Sequence, residues 1–307
     1  MSRSARASHL VIPVFLLGLV FAPPAIALDA PAKSVGPHAE LGGKKPVTIS
    51  RGPLSVTLRL VKARGGEAPV ATVSVDGARA IVLGAGLPAS STLGSHARIV
   101  TLDATTPLPQ VVFSRYTGGA HCCAETFIAT QSGGKWVSVN AGTRDGEEGF
   151  AFEDIDGDGN VELTGVDNRF LYAFDSYAGS LAPSRIYRLR GTSLVEVTRD
   201  PRFQPWLRAE LARQEREANE NPESWKSNGF LAGWVAQKAL LGETTDAWSR
   251  MLKNYDRASD WGALSCESKP KQAECADPER RAQMFPRLLR AFLVGNGYLA
   301  ANDPAAR

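Results

Sequence analysis

Phe152-Glu-Asp-Ile-Asp-Gly-Asp-Gly-Asn-Val-Glu-Leu163 is the stretch around which this chain of 307 residues is organised. Carboxylates at Asp154, Asp156 and Asp158 alternate with small or apolar residues, and Glu162 follows four positions after the last aspartate. Short apolar segments with the character of strands flank the run on both sides. The stretch therefore predicts a tight acidic turn between two strands.

The spacing of these side chains suits a calcium ion. Calcium binds about six to eight oxygen ligands, and Asp154, Asp156 and Asp158 stand at positions 1, 3 and 5 of the turn. Glycines on both sides of Asp158 allow the backbone to fold sharply. The backbone carbonyl of Asn160 and the carboxylate of Glu162 would be the ligands at positions 7 and 9. We therefore predict a Ca²⁺ site formed by these five residues.

The flanks of the run distinguish between classes of calcium loop. An EF-hand needs a carboxylate at position 12, which is Gly165 here, and a helix on each side. The run resembles instead the loop of FG-GAP repeats, found in integrin-like β-propellers and related bacterial secreted proteins, in which the cation bridges a β-hairpin. That resemblance implies a structural metal rather than a catalytic one.

The alternative interpretation is an acidic surface turn that binds no ion. Nine acidic side chains and no Lys or Arg lie between residues 145 and 167. Because carboxylates crowded together repel one another without a cation, we favour calcium. Replacing Asp156 or Asp158 by Ala is then expected to abolish calcium binding and to relieve repulsion in the metal-free protein.

Residues 1–27 have the features of a secretory signal peptide. Arg3 and Arg6 precede an apolar core over residues 10–22, and Ala25-Ile-Ala27 is a small-residue cleavage site. We expect a periplasmic or secreted protein with no membrane span after signal cleavage. Residues 28–46, rich in Pro and Gly, are predicted to be a flexible linker.

The net charge and the absence of known motifs exclude several classes of function. The formal net charge of +3 falls to +1 without the two arginines of the signal peptide. No basic stripe with interleaved aromatic residues is present, so no nucleic-acid partner is expected. The sequence also lacks the G-x-S-x-G and H-E-x-x-H motifs, a P-loop and a dinucleotide fingerprint. No motif therefore identifies an enzyme.

Residues 47–200 are predicted to form a β-rich calcium-binding domain. Ser132-Gly-Gly-Lys135 has the composition of a hairpin turn between two strands. Apolar and polar residues alternate in the manner of strands, or β-forming residues cluster, over 55–60, 71–75, 98–102, 111–114, 125–131, 136–140, 170–175, 185–189 and 194–197.

Residues 201–307 are predicted to form a helical domain. The first helix contains Trp206, the second ends near Gly242, and the third begins at Thr244 or Thr245. Pro286 is expected to start the last helix. The predicted fold class is therefore α+β, an antiparallel β-rich N-terminal domain that carries the calcium loop and a small all-α C-terminal domain.

The cysteines allow two interpretations. In an exported protein cysteines are expected to form disulfides, and Cys266 and Cys275, which flank a polar loop, are the natural pair. Cys122 and Cys123 then remain as a vicinal disulfide or a reduced pair. They follow His121, but consecutive residues on a strand point to opposite faces, so the three cannot easily surround one ion.

Three stretches are together similar to a group of uncharacterised exported proteins of proteobacteria: Tyr116-Thr-Gly-Gly-Ala-His-Cys-Cys123, the acidic run, and Phe285-Pro-Arg-Leu-Leu289 with Gly297-Tyr-Leu299. The resemblance implies export and a metal but no activity. We interpret the chain as an exported, calcium-stabilised binding protein whose partner is an envelope or extracellular protein or glycan. The alternative is an exported hydrolase or redox enzyme that uses His121 with Cys122 or Cys123.

Overall fold

A computed structural model describes residues 35–91, 94–119, 122–259, 261 and 278–304, with side chains in the last stretch from residue 284. From residue 35 onward these residues belong to one compact unit. The signal peptide, Cys266 and Cys275 lie outside the described residues. The predictions made for them stay predictions.

The described residues contain short and medium-length strands throughout the first two thirds of the chain. They are β1 (His38–Glu40), β2 (Val47–Arg51), β3 (Leu54–Ala63), β4 (Gly66–Val75), β5 (Ala78–Leu83), β6 (Ser95–Val100), β7 (Gln110–Tyr116), β8 (Cys122–Ser132), β9 (Lys135–Asp145), β10 (Ala151–Glu153), β11 (Glu162–Val166), β12 (Ser184–Arg190) and β13 (Ser193–Glu196).

In the described ranges these strands form three antiparallel sheets. The central sheet has the order β1-β6-β7-β8-β9, and the other two have the sequential orders β2-β3-β4-β5 and β10-β11-β12-β13. Ser132 pairs with Lys135 in the β8–β9 hairpin, as the Ser-Gly-Gly-Lys turn predicts. Sequential neighbours dominate because short turns favour antiparallel pairing.

The two faces of the central sheet contribute to two different hydrophobic cores. Ile99 and Phe113 belong to a core shared with the β2–β5 sheet, whereas Val112 and Ile128 belong to a core shared with the β10–β13 sheet. Alternation along each strand explains this division, since successive side chains point to opposite faces. The central sheet is consequently buried on both sides.

The last third of the described chain is helical. Its helices are α1 (Gln204–Glu220), α2 (Asn228–Leu240), α3 (Thr244–Asn254) and α4 (Pro278–Gly295). They share a core with Phe170 and Ile186 of the β-rich region, and Trp234 on α2 is fully buried there. The predicted order, an antiparallel β-rich region followed by a helical region, is confirmed. None of the helices in the described ranges is long and apolar enough to cross a membrane.

A close approach fixes α2 against the segment that precedes β12. A Cβ atom added at Gly233 would lie 1.9 Å from the carbonyl oxygen of Leu181, so only glycine fits at this point of the helix. Helix α2 is buried along almost its whole length. The helical region therefore packs directly on the β10–β13 sheet.

Three local expectations differ from the structure. The predicted strand over 170–175 is wrong, because Asp167 caps a short 3₁₀ helix at Asn168–Phe170 instead. The last helix begins at Pro278 and contains Pro286 in its interior. Residues 38–40, inside the predicted linker, form β1 and pair with β6.

Candidate metal centre

The acidic run connects β10 to β11, whose last paired residues are Glu153 and Glu162. Gly157 and Gly159 have φ angles of +71° and +86°, a region that favours glycine. The turn is tied internally, because Asp154 Oδ2 accepts a hydrogen bond of 3.1 Å from the amide of Gly159. This part of the chain therefore has the tight turn that the sequence predicts.

Three of the five predicted ligands come together. Carboxylate oxygens of Asp154, Asp156 and Glu162 all lie within 4.8 Å of one another. Asp158 is not part of this group, since its Oδ1 atom accepts the amide of Asn160 at 2.9 Å. The side chain of Asn160 accepts a hydrogen bond from the amide of Ala104 at 2.8 Å, which fixes the loop to the segment after β6.

Two arginines from outside the run neutralise part of its charge. Arg188 on β12 lies 2.8 Å from Asp156 and 2.9 Å from Asp158, and it also contacts Glu162. Arg202 lies 2.9 Å from the other oxygen of Asp156. The absence of Lys and Arg from the run itself therefore does not leave the carboxylates without cationic partners. Repulsion among the carboxylates is therefore reduced even without a bound cation.

Burial and hydrogen bonding act in opposite directions on the pKa of the innermost carboxylate. Glu162 is fully buried, and this burial raises its pKa against the lowering effect of hydrogen bonds from the amide of Ile155 and from Arg188. Asp158 behaves in the opposite way, because hydrogen bonds from Asn160 and the charge of Arg188 outweigh its desolvation and lower its pKa. The charge of Arg188 therefore favours the ionised form of Glu162, whereas its burial opposes that form.

One carboxylate oxygen of this group lacks a hydrogen-bond partner among the described residues. Asp154 Oδ1 is buried and has no hydrogen-bond partner among the described residues, a state that normally costs free energy unless an ion or water is bound. Asp154, Asp156 and Glu162 offer the hard oxygen ligands that calcium prefers. The donor set fits calcium, although Arg188 uses two of the same carboxylates.

Because of these arginines, replacing an aspartate of the loop is no longer expected to relieve repulsion in the metal-free protein. Replacing Asp156 by Ala would deprive both Arg188 and Arg202 of a partner, and Arg188 is only 10% exposed. Arg188 would keep its contacts with Asp158 and Glu162, so the change removes one of the three carboxylates that compensate its largely buried charge. We therefore expect this change to destabilise the metal-free protein rather than to relieve repulsion.

The alternative catalytic group is only partly described. Cys122 and Cys123 are the first two residues of β8, and Cys123 is buried. The hydroxyl of Thr117 accepts the amide of Cys123 at 3.1 Å. His121, the third member of this group, lies outside the described residues.

A second ionic cluster, which sequence reasoning missed, joins the β-rich and helical regions. Asp167 Oδ2 lies 2.6 Å from Arg169, 2.8 Å from Arg185 and 2.9 Å from the hydroxyl of Tyr298. Burial opposes ionisation of Asp167, but the hydrogen bonds from the arginines outweigh it and hold its pKa well below the usual range. Burial also raises the pKa of Tyr298, so this hydroxyl stays a donor.

An acidic cleft of about 680 Å³ opens beside the acidic run, between the β10–β13 sheet and α1. Trp206 on its wall donates a hydrogen bond of 2.9 Å to Glu153, the residue before Asp154. The hydroxyl of Tyr177 donates to Asp145 at 2.8 Å, and this bond raises the pKa of Tyr177 to about 12. The cleft has aromatic walls and an excess of carboxylates, which include Asp145, Glu147, Glu148, Glu153 and Glu210.

The known proteins to which this chain is similar give some information on its location and none on a reaction. A family model described as the sll0997 C-terminal domain matches residues 207–297. The chain is similar to the uncharacterized protein y4bJ of Sinorhizobium fredii, with 38% identity over 84% of this chain and 41% of that protein. It is also similar to the probable thylakoid lumen protein sll0997 of Synechocystis, with 43% identity over 68% of this chain and 62% of that protein.

These likenesses agree with the expected resemblance to uncharacterised proteins. The chain spans less than two thirds of the length of both relatives. No solved structure matches it. Neither relative's name mentions calcium or an FG-GAP repeat, and the calcium loop stays a prediction.

Proposed function

We propose that this chain is an exported binding protein in which a calcium ion stabilises the β10–β11 hairpin. The convergence of Asp154, Asp156 and Glu162, with one buried oxygen of Asp154 lacking a partner, is the observation that carries the proposal. The signal-peptide features and a relative named as a thylakoid lumen protein support export, because a lumenal protein crosses a membrane on its way.

The ion would connect two strands of one sheet through their connecting turn. Glu162 is the first residue of β11, and Asp154 directly follows β10. A cation bound to both closes the hairpin in the way that the FG-GAP resemblance implies. In the ion-free protein, Arg188 and Arg202 already neutralise part of the carboxylate charge. The free energy of folding gained from calcium is therefore only the difference between neutralisation by calcium and neutralisation by these arginines.

The partner protein is expected to bind in the acidic cleft. Its wall carries five carboxylates, whereas Arg213, the arginine that lines it, is paired with Glu210 and Glu217. An excess of negative charge with aromatic walls favours a partner that presents basic side chains over a neutral glycan. The expected partner is therefore a basic segment of an envelope or extracellular protein.

Calorimetric titration with Ca²⁺ tests the metal part of the proposal. We expect one site in the chelator-treated protein and at least a tenfold weaker affinity in Asp154→Asn, which corresponds to about 1.4 kcal/mol. Glu153→Gln, the adjacent residue whose side chain faces the cleft, is the matched control and should bind calcium normally. Equal affinity in Asp154→Asn and the native protein would contradict the assignment.

Titration with a short lysine-rich peptide tests the cleft. We expect binding that weakens in Glu153→Gln and as salt is raised, because exposed charges are screened over about 8 Å at physiological ionic strength. Binding that is insensitive to both changes would place the interaction elsewhere.

A further inference from the structure

Two histidines far apart in the sequence lie on one face of the central sheet. In the β1–β6 ladder His38 pairs with Arg98, and Glu40 pairs with His96. Because residues two apart on a strand share a face, all four side chains point to the side of the β10–β13 sheet. The rings of His38 and His96 stack with their centroids 5.5 Å apart.

A carboxylate from another part of the chain completes the group. Glu148, between β9 and β10, places its Oε1 atom 3.7 Å from His38 Nε2 and 3.9 Å from His96 Nδ1. One ligand atom from each of the three residues lies within 4.8 Å of the others. The same oxygen of Glu148 therefore faces both imidazoles.

The side chain of His96 is buried and unsatisfied among the described residues. It is 6% exposed, and neither of its ring nitrogens has a hydrogen-bond partner among the described residues. The 3.9 Å separation from Glu148 is too long for a hydrogen bond. An unsatisfied buried polar group costs about 1–3 kcal/mol, so a histidine in this state indicates that a further species binds there.

We propose that His38, His96 and Glu148 bind one divalent transition-metal ion of the zinc class. Two imidazole nitrogens and one carboxylate oxygen form a ligand set that suits zinc, whereas calcium requires oxygen ligands throughout. Zinc with ligands at about 2.0–2.2 Å in tetrahedral geometry needs ligand atoms about 3.3–3.6 Å apart. The 3.7 and 3.9 Å from Glu148 are close to this separation, and the two imidazole nitrogens lie within 4.8 Å of each other.

The charged residues around the three ligands orient Glu148 and affect how favourably a cation binds. Arg98 lies 3.7 Å from Oε2 of Glu148, the oxygen that does not face the histidines, and its guanidinium stacks over Phe152 at 5.0 Å. This contact turns Oε1 toward the imidazoles. The positive charge of Arg98 opposes a cation, and Glu40, directly across from His96, offsets it.

The proposed zinc-class site shares no ligand with the calcium loop. Glu148 does line the acidic cleft, and His38 is 31% exposed at its side chain, so an ion at this place is reachable from solvent. The site thus goes beyond the calcium-stabilised binding role and does not depend on it.

The test uses the full chain without a histidine tag, titrated with Zn²⁺ by calorimetry in saturating Ca²⁺ so that the loop is filled. We expect one zinc site, weakened at least tenfold in His38→Ala and in Glu148→Gln. Glu147→Gln, a neighbouring carboxylate in the same cleft, and His121→Ala are the matched controls and should leave zinc affinity unchanged. Cobalt(II) should give the intense visible bands of a tetrahedral site in the native protein and lose them in His38→Ala.

Several outcomes would overturn the proposal. Absence of zinc binding in the native protein is one, and affinity that is unchanged in both His38→Ala and Glu148→Gln is another. Loss of zinc binding only in His121→Ala would move the site to the cysteine region. Loss only in Asp156→Ala would assign the ion to the calcium loop. His38 is exposed on the edge strand β1, so its replacement tests the site without removing a core residue.

Discussion

Replacing Arg188 by Met should destabilise the calcium-free protein and increase the effect of calcium. The guanidinium of Arg188 is 10% exposed and contacts Glu162, which is fully buried, as well as Asp156 and Asp158. Without it, Glu162 becomes a buried carboxylate whose raised pKa has lost its main opposing charge. Calcium can supply that charge instead, because it would bind the same carboxylates.

The size of the effect follows from the burial of the pair. Removing one partner of a buried ion pair costs about 3–5 kcal/mol. At about 2–4 °C per kcal/mol for a chain of this size, the melting temperature in chelator should fall by about 6–20 °C. In saturating calcium the difference from the native protein should shrink, since the ion replaces the missing cation.

Thermal unfolding followed by tryptophan fluorescence measures both states. Arg202→Met is the matched control, because Arg202 contacts the same Asp156 but is 45% exposed, and solvent screening makes exposed pairs weak. It should lower the melting temperature less. If Arg188→Met melted like the native protein in chelator, Arg188 would not stabilise the loop. If calcium raised the melting temperatures of both proteins equally, calcium would not replace its charge.

The other predictions concern the contacts between the β-rich and helical regions. Tyr298→Phe should cost about 1.5–3 kcal/mol in urea unfolding at pH 7, because it removes a hydrogen bond to the Asp167 carboxylate; an unchanged midpoint would contradict this. The lowered pKa of Asp167 means that its contribution is present above its ordinary pKa of about 3.9 and is lost as the pH falls below it, so Asp167→Asn should flatten the acid part of a stability–pH curve. Gly233→Ala should lower the melting temperature strongly, since its Cβ would collide with the Leu181 carbonyl; native-like melting would show that α2 can shift.

Periodicity was sufficient to predict most of the elements. Alternation places strands at 55–60 and 71–75, inside the observed β3 and β4, because half-buried strands have a period of two. The end of α2 before Gly242, which has a φ of +77°, follows from the preference of this region for glycine. These signals are local, and local signals are readable from one sequence.

Contacts between distant residues were not predictable. Arg188 and Arg202 lie beyond the acidic run in sequence, and only the β11–β12 pairing and the turn before α1 bring them to it. His38 has no partner nearby in sequence, and its three-residue strand is too short for a periodic signal. The false strand at 170–175 arose because Phe170, Tyr172 and Phe174 are spaced two apart like the residues of a strand face, but only the two phenylalanines are buried and Tyr172 is 50% exposed.

The most direct test of the central claim compares thermal unfolding of the native protein in chelator, in millimolar calcium and in millimolar magnesium. A ligand that binds only the folded state stabilises by about 2.7 kcal/mol at one hundred times its dissociation constant, so calcium should raise the melting temperature by several degrees. Magnesium should have a smaller effect, because it demands stricter octahedral geometry. Equal melting temperatures in chelator and in calcium would contradict the presence of a calcium site in the loop from Asp154 to Glu162.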